Sequence, residues 1–163
     1  MRNLDRRGFL MSAGPAIAAS RLSANDRLRV AVIGLRGRGR ELIEGFHQLA
    51  GQNVEVAALC DVDQSVLAQR AADFEKLAGR KAPTFGDMRQ VLDDKSIDAV
   101  GFATPNHWHS LGAIWACQAG KDVYVEKPGS HNLFEGRKLM EAARKYKRIV
   151  QHGTQNRSSP NIV

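Results

Sequence analysis

The sequence has little cysteine, few aromatic residues and no long apolar run. Two cysteines among 163 residues, Cys60 and Cys117, exclude a disulfide framework and a zinc pattern. Both lie in apolar runs, which predicts free thiols in a core. The N-terminal apolar stretch is far shorter than the ~20 residues that a membrane span needs, so we expect no membrane-spanning helix. A chain of this size can bury a core without a metal or a disulfide.

Charge narrows the class of protein further. The formal net charge is +7, and residues 1–25 hold four arginines and one aspartate, so +3 lies in that segment and +4 in the rest. The charges are scattered, without basic runs interleaved with aromatic residues, and this pattern argues against a nucleic-acid partner. A mildly basic domain instead suits an anionic small-molecule ligand.

Residues 1–25 have the layout of an export signal. The segment DRRGFLMSAGPAIAAS places Arg6 and Arg7 before a short apolar stretch with small residues. This arrangement resembles a twin-arginine signal peptide and predicts export through that pathway, to the periplasm or beyond. The alternative is a plain basic tail. In either case the segment lies outside the folded domain.

From residue 28 onward, short β-branched apolar runs alternate with longer amphipathic segments. The strand-like runs are RVAVIG, VEVAALCD, APTF, IDAVGFATP, KDVYVEKP and RIVQHGTQ. Asp63 and Asn132 are placed to cap two of the intervening helices. Gly51 and Gly79 are placed to end two of them. Six strands alternating with helices predict the α/β class: a doubly wound, Rossmann-type parallel sheet with strand order 3-2-1-4-5-6.

The first strand ends in a glycine-rich turn, GLRGRG. Gly34 and Gly39 keep the outer spacing of the G-x-G-x-x-G fingerprint, which serves a tight turn and close helix–strand packing. Arg36 stands where the middle glycine lets the backbone approach a pyrophosphate, and Gly37 can partly replace that glycine. We expect Arg36 and Arg38 to donate to a pyrophosphate at the helix N-terminus; the alternative is two solvated arginines.

Asp61 ends the second strand, 27 residues after Gly34. A carboxylate at this place accepts hydrogen bonds from both ribose hydroxyls of a dinucleotide and repels a 2′-phosphate. Asp61 therefore favours NAD over NADP. The alternative is that Asp61 only caps the following helix.

The fourth strand is followed by TPNHWH. Pro105 holds Thr104 extended, so the chain leaves the sheet sharply over the expected crevice. The histidine pair of this segment lacks a nearby acidic partner, and we predict no metal site. Trp108 is expected beside the cofactor or in the core.

The fifth strand ends in the charged pair Glu126 and Lys127. Burial of charge is unfavourable unless the charge is paired or functional. Lys127 is therefore predicted to project into the crevice and to exchange a proton with a substrate hydroxyl. The alternative is a structural ion pair between the two side chains.

The glycine turn, Asp61, TPNHWH, EKP and GTQNRS together resemble the Gfo/Idh/MocA family of sugar oxidoreductases, over about residues 27–160. The resemblance implies a Rossmann domain that binds NAD or NADP, followed by an α/β substrate domain. It implies that Lys127 is the catalytic lysine. It also implies that a histidine and an aspartate completing the catalytic group lie downstream of this chain.

The resemblance further divides the chain and names its site. Residues 1–25 would be the signal peptide, 26–155 the NAD-binding domain and 156–163 the start of the substrate domain, with a homo-oligomer expected at full length. The predicted cofactor-binding residues are Gly34, Arg36, Gly37, Arg38, Gly39, Asp61, Thr104, Pro105, Asn106, His109, Glu126, Lys127 and Asn156.

Three functions remain open from the sequence. The first is a dehydrogenase that moves a hydride between a sugar or polyol hydroxyl and NAD. The second is redox-neutral chemistry on a retained NAD, either sugar–sugar oxidoreduction or oxidation-assisted glycoside cleavage, although the glycosidase branch of the family usually lacks the lysine of EKP. The third is a cofactor-binding module without activity.

Overall fold

A computed structural model describes residues 27–154 and shows a six-stranded, parallel sheet. The strand order is 3-2-1-4-5-6, which confirms the predicted fold class. The predicted signal peptide, the segment 156–163 and the predicted site residue Asn156 lie outside the described residues. The strands are β1 (Leu28–Ile33), β2 (Val54–Cys60), β3 (Thr84–Phe85), β4 (Ala99–Phe102), β5 (Asp122–Glu126) and β6 (Val150–Gly153).

Helices connect the strands, and two of them begin at the predicted caps. The Asp63 carboxylate accepts from the Ser65 amide at 2.9 Å, and the Asn132 side chain accepts from the Glu135 amide at 2.9 Å. Each cap satisfies an amide that has no partner inside its helix. In the described range the α-helices are α1 (Arg38–Gln48), α2 (Gln64–Ala78), α3 (Met88–Asp93), α4 (His109–Gln118) and α5 (Leu133–Tyr146).

The first helix differs from its prediction at the C-terminal end. Gly51 was expected to close α1, but the helix ends at Gln48 and passes into a 3₁₀ turn at Ala50–Gln52. Asn53 then takes the left-handed conformation, with φ of 62°, and leads into β2. Asparagine tolerates this conformation better than most residues, so it serves the reversal that glycine was predicted to serve.

Apolar layers lie on both faces of the sheet. On one face Val32 and Leu59 are fully buried against α1 and α2; on the other, Val100 and Phe102 pack against α4. Cys60 and Cys117 are free and buried, as predicted. Burial raises the pKa of the Cys60 thiol to about 12, so it stays protonated at neutral pH.

One buried charge was not predicted. Lys121, just before β5, is 2% exposed, and its Nζ donates to the carbonyl oxygens of Asp94 and Ile97 at 2.5 and 2.7 Å. Burial lowers the pKa of this ammonium group. Lys121 therefore fastens the amino end of β5 to the loop that precedes β4. None of the helices within 27–154 combines the length and apolarity required to cross a bilayer.

Candidate functional site

A cavity of about 910 Å³ opens at the carboxyl ends of β1, β2 and β4. It lies where the strand order reverses, between β1 and β4, which is where ligands bind in doubly wound sheets. We refer to it as the switch-point cavity. Of the predicted residues, its lining includes Gly34, Arg36, Asp61, Thr104 and Pro105. It also contains residues that the sequence did not single out, among them Val62, Asp87, Met88, Arg89 and Trp115.

The glycine turn presses closely against the end of β4. Gly34 has φ of +84°, and a Cβ added there would lie 2.8 Å from backbone atoms of Ala103 and Thr104. A Cβ on Gly39 would lie 1.9 Å from the Gly34 carbonyl oxygen. Gly37, the N-cap of α1, has φ of +36° and open space beside its Cα. Only glycine fits the first two positions, and the third leaves the helix N-terminus without an obstructing side chain.

Asp61 supports the glycine turn from the end of β2. One carboxylate oxygen accepts from the Leu35 amide at 2.8 Å and the other accepts from the Asp63 amide at 3.0 Å. Each oxygen has two lone pairs, so both can accept a further hydrogen bond from a ligand. The residue that caps α2 is Asp63 rather than Asp61. The ribose contact of Asp61 stays a prediction, and its contact with the turn is an addition to it.

The two arginines of the turn diverge. Arg36 lines the switch-point cavity and forms an ion pair with Asp63 at 2.5 Å, with most of its side chain exposed. Arg38 points the other way: its Nε donates to Glu126 at 2.7 Å, and it also pairs with Glu41. The guanidinium of Arg38 thus holds a buried carboxylate, and its contact with a pyrophosphate stays a prediction.

Glu126 is a buried anchor at the end of β5. It is 3% exposed and accepts from Arg38, from the Tyr124 hydroxyl at 3.1 Å and from the Lys127 amide at 3.3 Å. Burial raises the pKa of Glu126, but the hydrogen bond and charge of Arg38 outweigh it and hold the pKa below its usual range. Gly153 leaves room for this cluster, because a Cβ there would lie 2.7 Å from the Tyr124 hydroxyl.

Lys127 follows this anchor and is exposed. The carboxylate of Glu126 is paired with Arg38, so the alternative of a Glu126–Lys127 ion pair is wrong. Lys127 and Glu126 do not line the switch-point cavity; they lie on the neighbouring strand end. The site thus has two parts: the switch-point cavity, and beside it the turn of residues 127–129, which we call the lysine turn.

The segment after β4 has an unexpected arrangement. The Oγ1 atom of Thr104 is buried and has no hydrogen-bond partner within the described part of the chain. His109 is 2% exposed, and both of its ring nitrogens face backbone carbonyl oxygens. His109 was predicted to bind the cofactor; its ring does not line the switch-point cavity, and the cofactor contact stays a prediction. Asn106 is exposed in the 3₁₀ turn Asn106–Trp108.

An apolar wall completes the cavity. Trp108 and Trp115 lie 6.4 Å apart between ring centroids and line the cavity together with Met88. Trp108 is 38% exposed, so part of its ring is available to a ligand in the cavity. The position of Trp108 beside TPN was a sequence signal for this wall. Trp115 and Met88 carried no such signal, because their approach depends on how α3 and α4 pack.

Potential metal ligands are dispersed in the folded domain. Across residues 27–154, no three histidine, cysteine, aspartate or glutamate side chains cluster as a metal site requires. His107 is exposed on the 3₁₀ turn and contacts the Trp108 ring, while the His109 nitrogens face carbonyl oxygens. The two histidines of this segment thus have separate surroundings.

The chain belongs to the Gfo/Idh/MocA oxidoreductase family, in its NAD-binding Rossmann-fold domain. The family model matches residues 28–154, most of the sequence. The resemblance expected from the motifs is thereby confirmed for this domain.

Relatives place the domain within longer proteins. A glycosyl hydrolase family 109 protein of Shewanella is 31% identical over 88% of this chain. An NAD-binding oxidoreductase of Klebsiella pneumoniae has a TM-score of 0.74 at 28% identity over 84% of the chain. The WlbA dehydrogenase of Bordetella pertussis, solved with NADH and UDP-GlcNAcA, has a TM-score of 0.73 at 26% identity over 84%. The chain spans 38%, 37% and 40% of these three proteins, respectively.

Proposed function

We propose that this chain is the NAD-binding part of an exported oxidoreductase that transfers a hydride between a sugar or polyol hydroxyl and a nicotinamide cofactor. The observation that carries the proposal is the switch-point cavity beside the lysine turn. The cavity offers a dinucleotide site, and the adjacent strand end offers an exposed amine in Lys127.

The residues present fit a nicotinamide dinucleotide. The close contact of Gly34 with Ala103 leaves a turn free of side-chain bulk at the floor of the cavity. The buried Thr104 Oγ1 awaits a partner that a ligand hydroxyl or amide can supply. Gly37 and the N-terminus of α1 would receive the pyrophosphate, while Asp61 would receive the ribose.

Charge in the cavity supports NAD over NADP. Its lining holds three aspartates, Asp61, Asp63 and Asp87, against two arginines, Arg36 and Arg89. Both arginines are already paired with aspartates, at 2.5 and 2.6 Å. A 2′-phosphate would therefore meet a surplus carboxylate and no uncommitted guanidinium at this end of the site.

Lys127 would supply the proton transfer. A bound nicotinamide ring supplies the hydride acceptor or donor. In the oxidative direction Lys127 would accept the proton of the substrate hydroxyl as the hydride leaves the carbon, and in the reverse direction Lys127 would return that proton. Glu126 does not compete for Lys127, because Arg38 holds its carboxylate.

Intrinsic fluorescence tests cofactor binding. The chain has two tryptophans, and both line the switch-point cavity, so a change in their emission reports on this site. We expect NAD to quench the emission of a Trp115→Phe variant, which retains Trp108 at the cavity surface. Unaltered emission at saturating NAD, together with no binding heat in calorimetry, would contradict the proposed site.

A second candidate is redox-neutral chemistry with a retained cofactor, up to and including oxidation-assisted glycoside cleavage. The naming of the Shewanella relative as a family 109 glycosyl hydrolase favours it, whereas Lys127 favours hydride transfer without bond cleavage. Mass spectrometry of protein purified without added NAD separates the two candidates. A stoichiometric co-purifying nicotinamide dinucleotide supports retention, and its absence supports exchange of cofactor in each turnover.

Export forms a separate part of the proposal. Arg6 and Arg7 support a twin-arginine signal, and that pathway moves proteins that have already folded, so a cofactor could be bound before export. We expect Arg6→Lys combined with Arg7→Lys to retain the protein in the cytoplasm without changing NAD affinity. Cell fractionation measures the location of the protein, and normal export of the double variant would contradict this assignment.

A further inference from the structure

A single buried imidazole joins the two parts of the site. The Nε2 atom of His109 lies 2.8 Å from the carbonyl oxygen of Thr104, at the edge of the switch-point cavity. Its Nδ1 atom lies 2.6 Å from the carbonyl oxygen of Pro128, immediately after Lys127. The ring is 2% exposed. The cavity edge and the lysine turn are therefore connected through one side chain.

The next residue reinforces the same connection. Ser110 is 1% exposed, and its hydroxyl donates to the carbonyl oxygen of Gly129 at 3.3 Å. The first two residues of α4 thus hold two consecutive carbonyl groups after Lys127. On the other side, the Lys127 amide donates to Glu126 at 3.3 Å. The backbone that carries Lys127 is fixed both before and after it.

The chemistry of the ring makes this contact selective. Both ring nitrogens lie within hydrogen-bond distance of a carbonyl oxygen, so whichever nitrogen carries the proton donates to the oxygen that it faces. Glutamine and asparagine carry their donors on a single nitrogen, so neither side chain presents a nitrogen to both carbonyl oxygens. The bridge between Thr104 and Pro128 therefore depends on histidine itself and not on polarity or volume alone.

We propose that His109, assisted by Ser110, is a positioning residue that fixes Lys127 relative to the switch-point cavity. The role of Lys127 that this serves rests on the proposed function. Hydride transfer from a substrate carbon and proton transfer from its hydroxyl require the amine and the cofactor site to keep a fixed separation, and a misplacement of about 1 Å can lower the rate about 100-fold. The hydrogen bond between His109 and the Pro128 carbonyl oxygen directly connects the lysine turn to the helix that contacts the cavity edge.

Lysine labelling in the folded protein tests the bridge without cofactor or substrate. Competitive acetylation read by mass spectrometry gives the rate of Lys127 relative to Lys76 and Lys81, which are exposed. We expect His109→Gln to change this relative rate at least about threefold, because release of the turn moves the exposed Lys127 amine relative to the groups around it. An unchanged rate in folded His109→Gln protein would overturn the proposal.

Lys121→Met is the matched control. Lys121 is as buried as His109 and also contacts two backbone carbonyl oxygens, but it lies at the opposite end of β5. Its loss should lower thermal stability and leave Lys127 labelling unchanged. If it changes Lys127 labelling as much as His109→Gln does, general destabilisation explains the effect and the proposal is wrong.

A second variant covers the case in which His109→Gln does not fold. Ser110→Ala removes only the 3.3 Å contact with Gly129, and we expect a smaller change of Lys127 labelling in the same direction. No change in Ser110→Ala would then count against the bridge. Activity of Lys127→Ala in the full-length enzyme is measured separately: if that variant keeps its turnover, the proposed function fails whatever the labelling shows.

Discussion

The half of the sheet around β1, β2 and β4 holds the larger cavity, of about 910 Å³, and we call it the concave half. The half around β5 and β6 holds a smaller cavity of about 330 Å³ and the exposed Lys127, and we call it the open half. The first half holds the switch-point cavity, with paired charges and two tryptophans on its walls. The second half presents Lys127 to solvent, and beside it Leu133 and Phe134 at the start of α5 are 93% and 69% exposed. Large apolar side chains with this exposure are typical of surfaces that contact another protein segment.

The difference separates binding from turnover. The glycine turn of the cavity is fixed by close backbone packing, such as that of Gly34 against Ala103, so we expect dinucleotide affinity to depend mainly on this half. The lysine turn is held by Glu126 and His109, and the Lys127 side chain itself is exposed. We therefore expect changes in the two halves to affect different measurements.

The largest effect is expected from Lys127→Ala in the full-length enzyme. Loss of a general acid–base group lowers kcat about 100- to 10,000-fold, whereas NAD affinity should stay within about twofold because Lys127 does not line the cavity. Steady-state kinetics and tryptophan quenching measure the two quantities. Equal losses in both would erase the distinction between the halves.

Gly34→Ala should have the converse effect. Its methyl group would lie 2.8 Å from the Ala103 backbone at φ of +84°, and we expect a destabilisation of about 2–4 kcal/mol with NAD affinity reduced at least about 100-fold. Gly45→Ala is the control, because its Cβ meets nothing within 4 Å in the middle of α1. That variant should gain about 0.5–1 kcal/mol. Urea unfolding measures the change in stability and calorimetry measures NAD affinity. Tight NAD binding by Gly34→Ala would show that the glycine turn does not hold the cofactor.

How far the sequence predicted each half follows from the range of the interactions. Caps and β-strand runs depend on neighbouring residues, so Asp63 and Asn132 were recognised as caps from the sequence. The glycine turn was predicted from the spacing of its glycines, which is also a local feature of the sequence. The hydrogen bond of Arg38 with Glu126 was not predicted, because this partner lies 88 residues away on β5 and the sequence shows only the local motif.

The position of His109 shows the same limit. Its segment marked it as a site residue, but the carbonyl groups it faces belong to turns five and nineteen residues away. Whether a histidine projects into a crevice or bridges two turns depends on how α4 packs against β4 and β5. The sequence does not show how α4 packs, so the direction of the His109 ring could not be predicted from it.

Low pH should reduce the stability that Glu126 contributes to the open half. The pKa of Glu126 is below its usual range in the folded protein, so the native state binds fewer protons than the unfolded state near pH 4. Its stabilisation is therefore present above the usual glutamate pKa of about 4.3 and is lost as the pH falls through the lower, folded value. Glu126→Gln should cost about 1–3 kcal/mol at pH 7 and flatten the loss of stability below about pH 4.3.

Urea unfolding at pH 7 and pH 3.5 measures this change. Glu141→Gln serves as the control: hydrogen bonding to Lys138 lowers the pKa of Glu141 too, but this pair is exposed and contributes little. A Glu126→Gln variant with the wild-type pH profile would show that the buried pair with Arg38 does not set acid stability.

The smallest effect is expected from Asp61→Asn, which tests the cofactor preference of the concave half. Asp61→Asn keeps an acceptor for the Leu35 amide but removes the charge, so the glycine turn should persist while the repulsion of a 2′-phosphate falls. We expect the preference for NAD over NADP to narrow about tenfold, the equivalent of about 1.4 kcal/mol between two partly solvated charges. Asp61→Ala should also narrow this preference, and it should weaken NAD binding as well, because the Leu35 contact is lost.

Asp87→Asn is the control for this prediction. It removes another carboxylate of the cavity, one that Arg89 already pairs with, and should change the preference for NAD less. Calorimetric titration of both cofactors into each variant decides the matter: if NADP binds the unmodified chain as tightly as NAD does, Asp61 does not face the ribose.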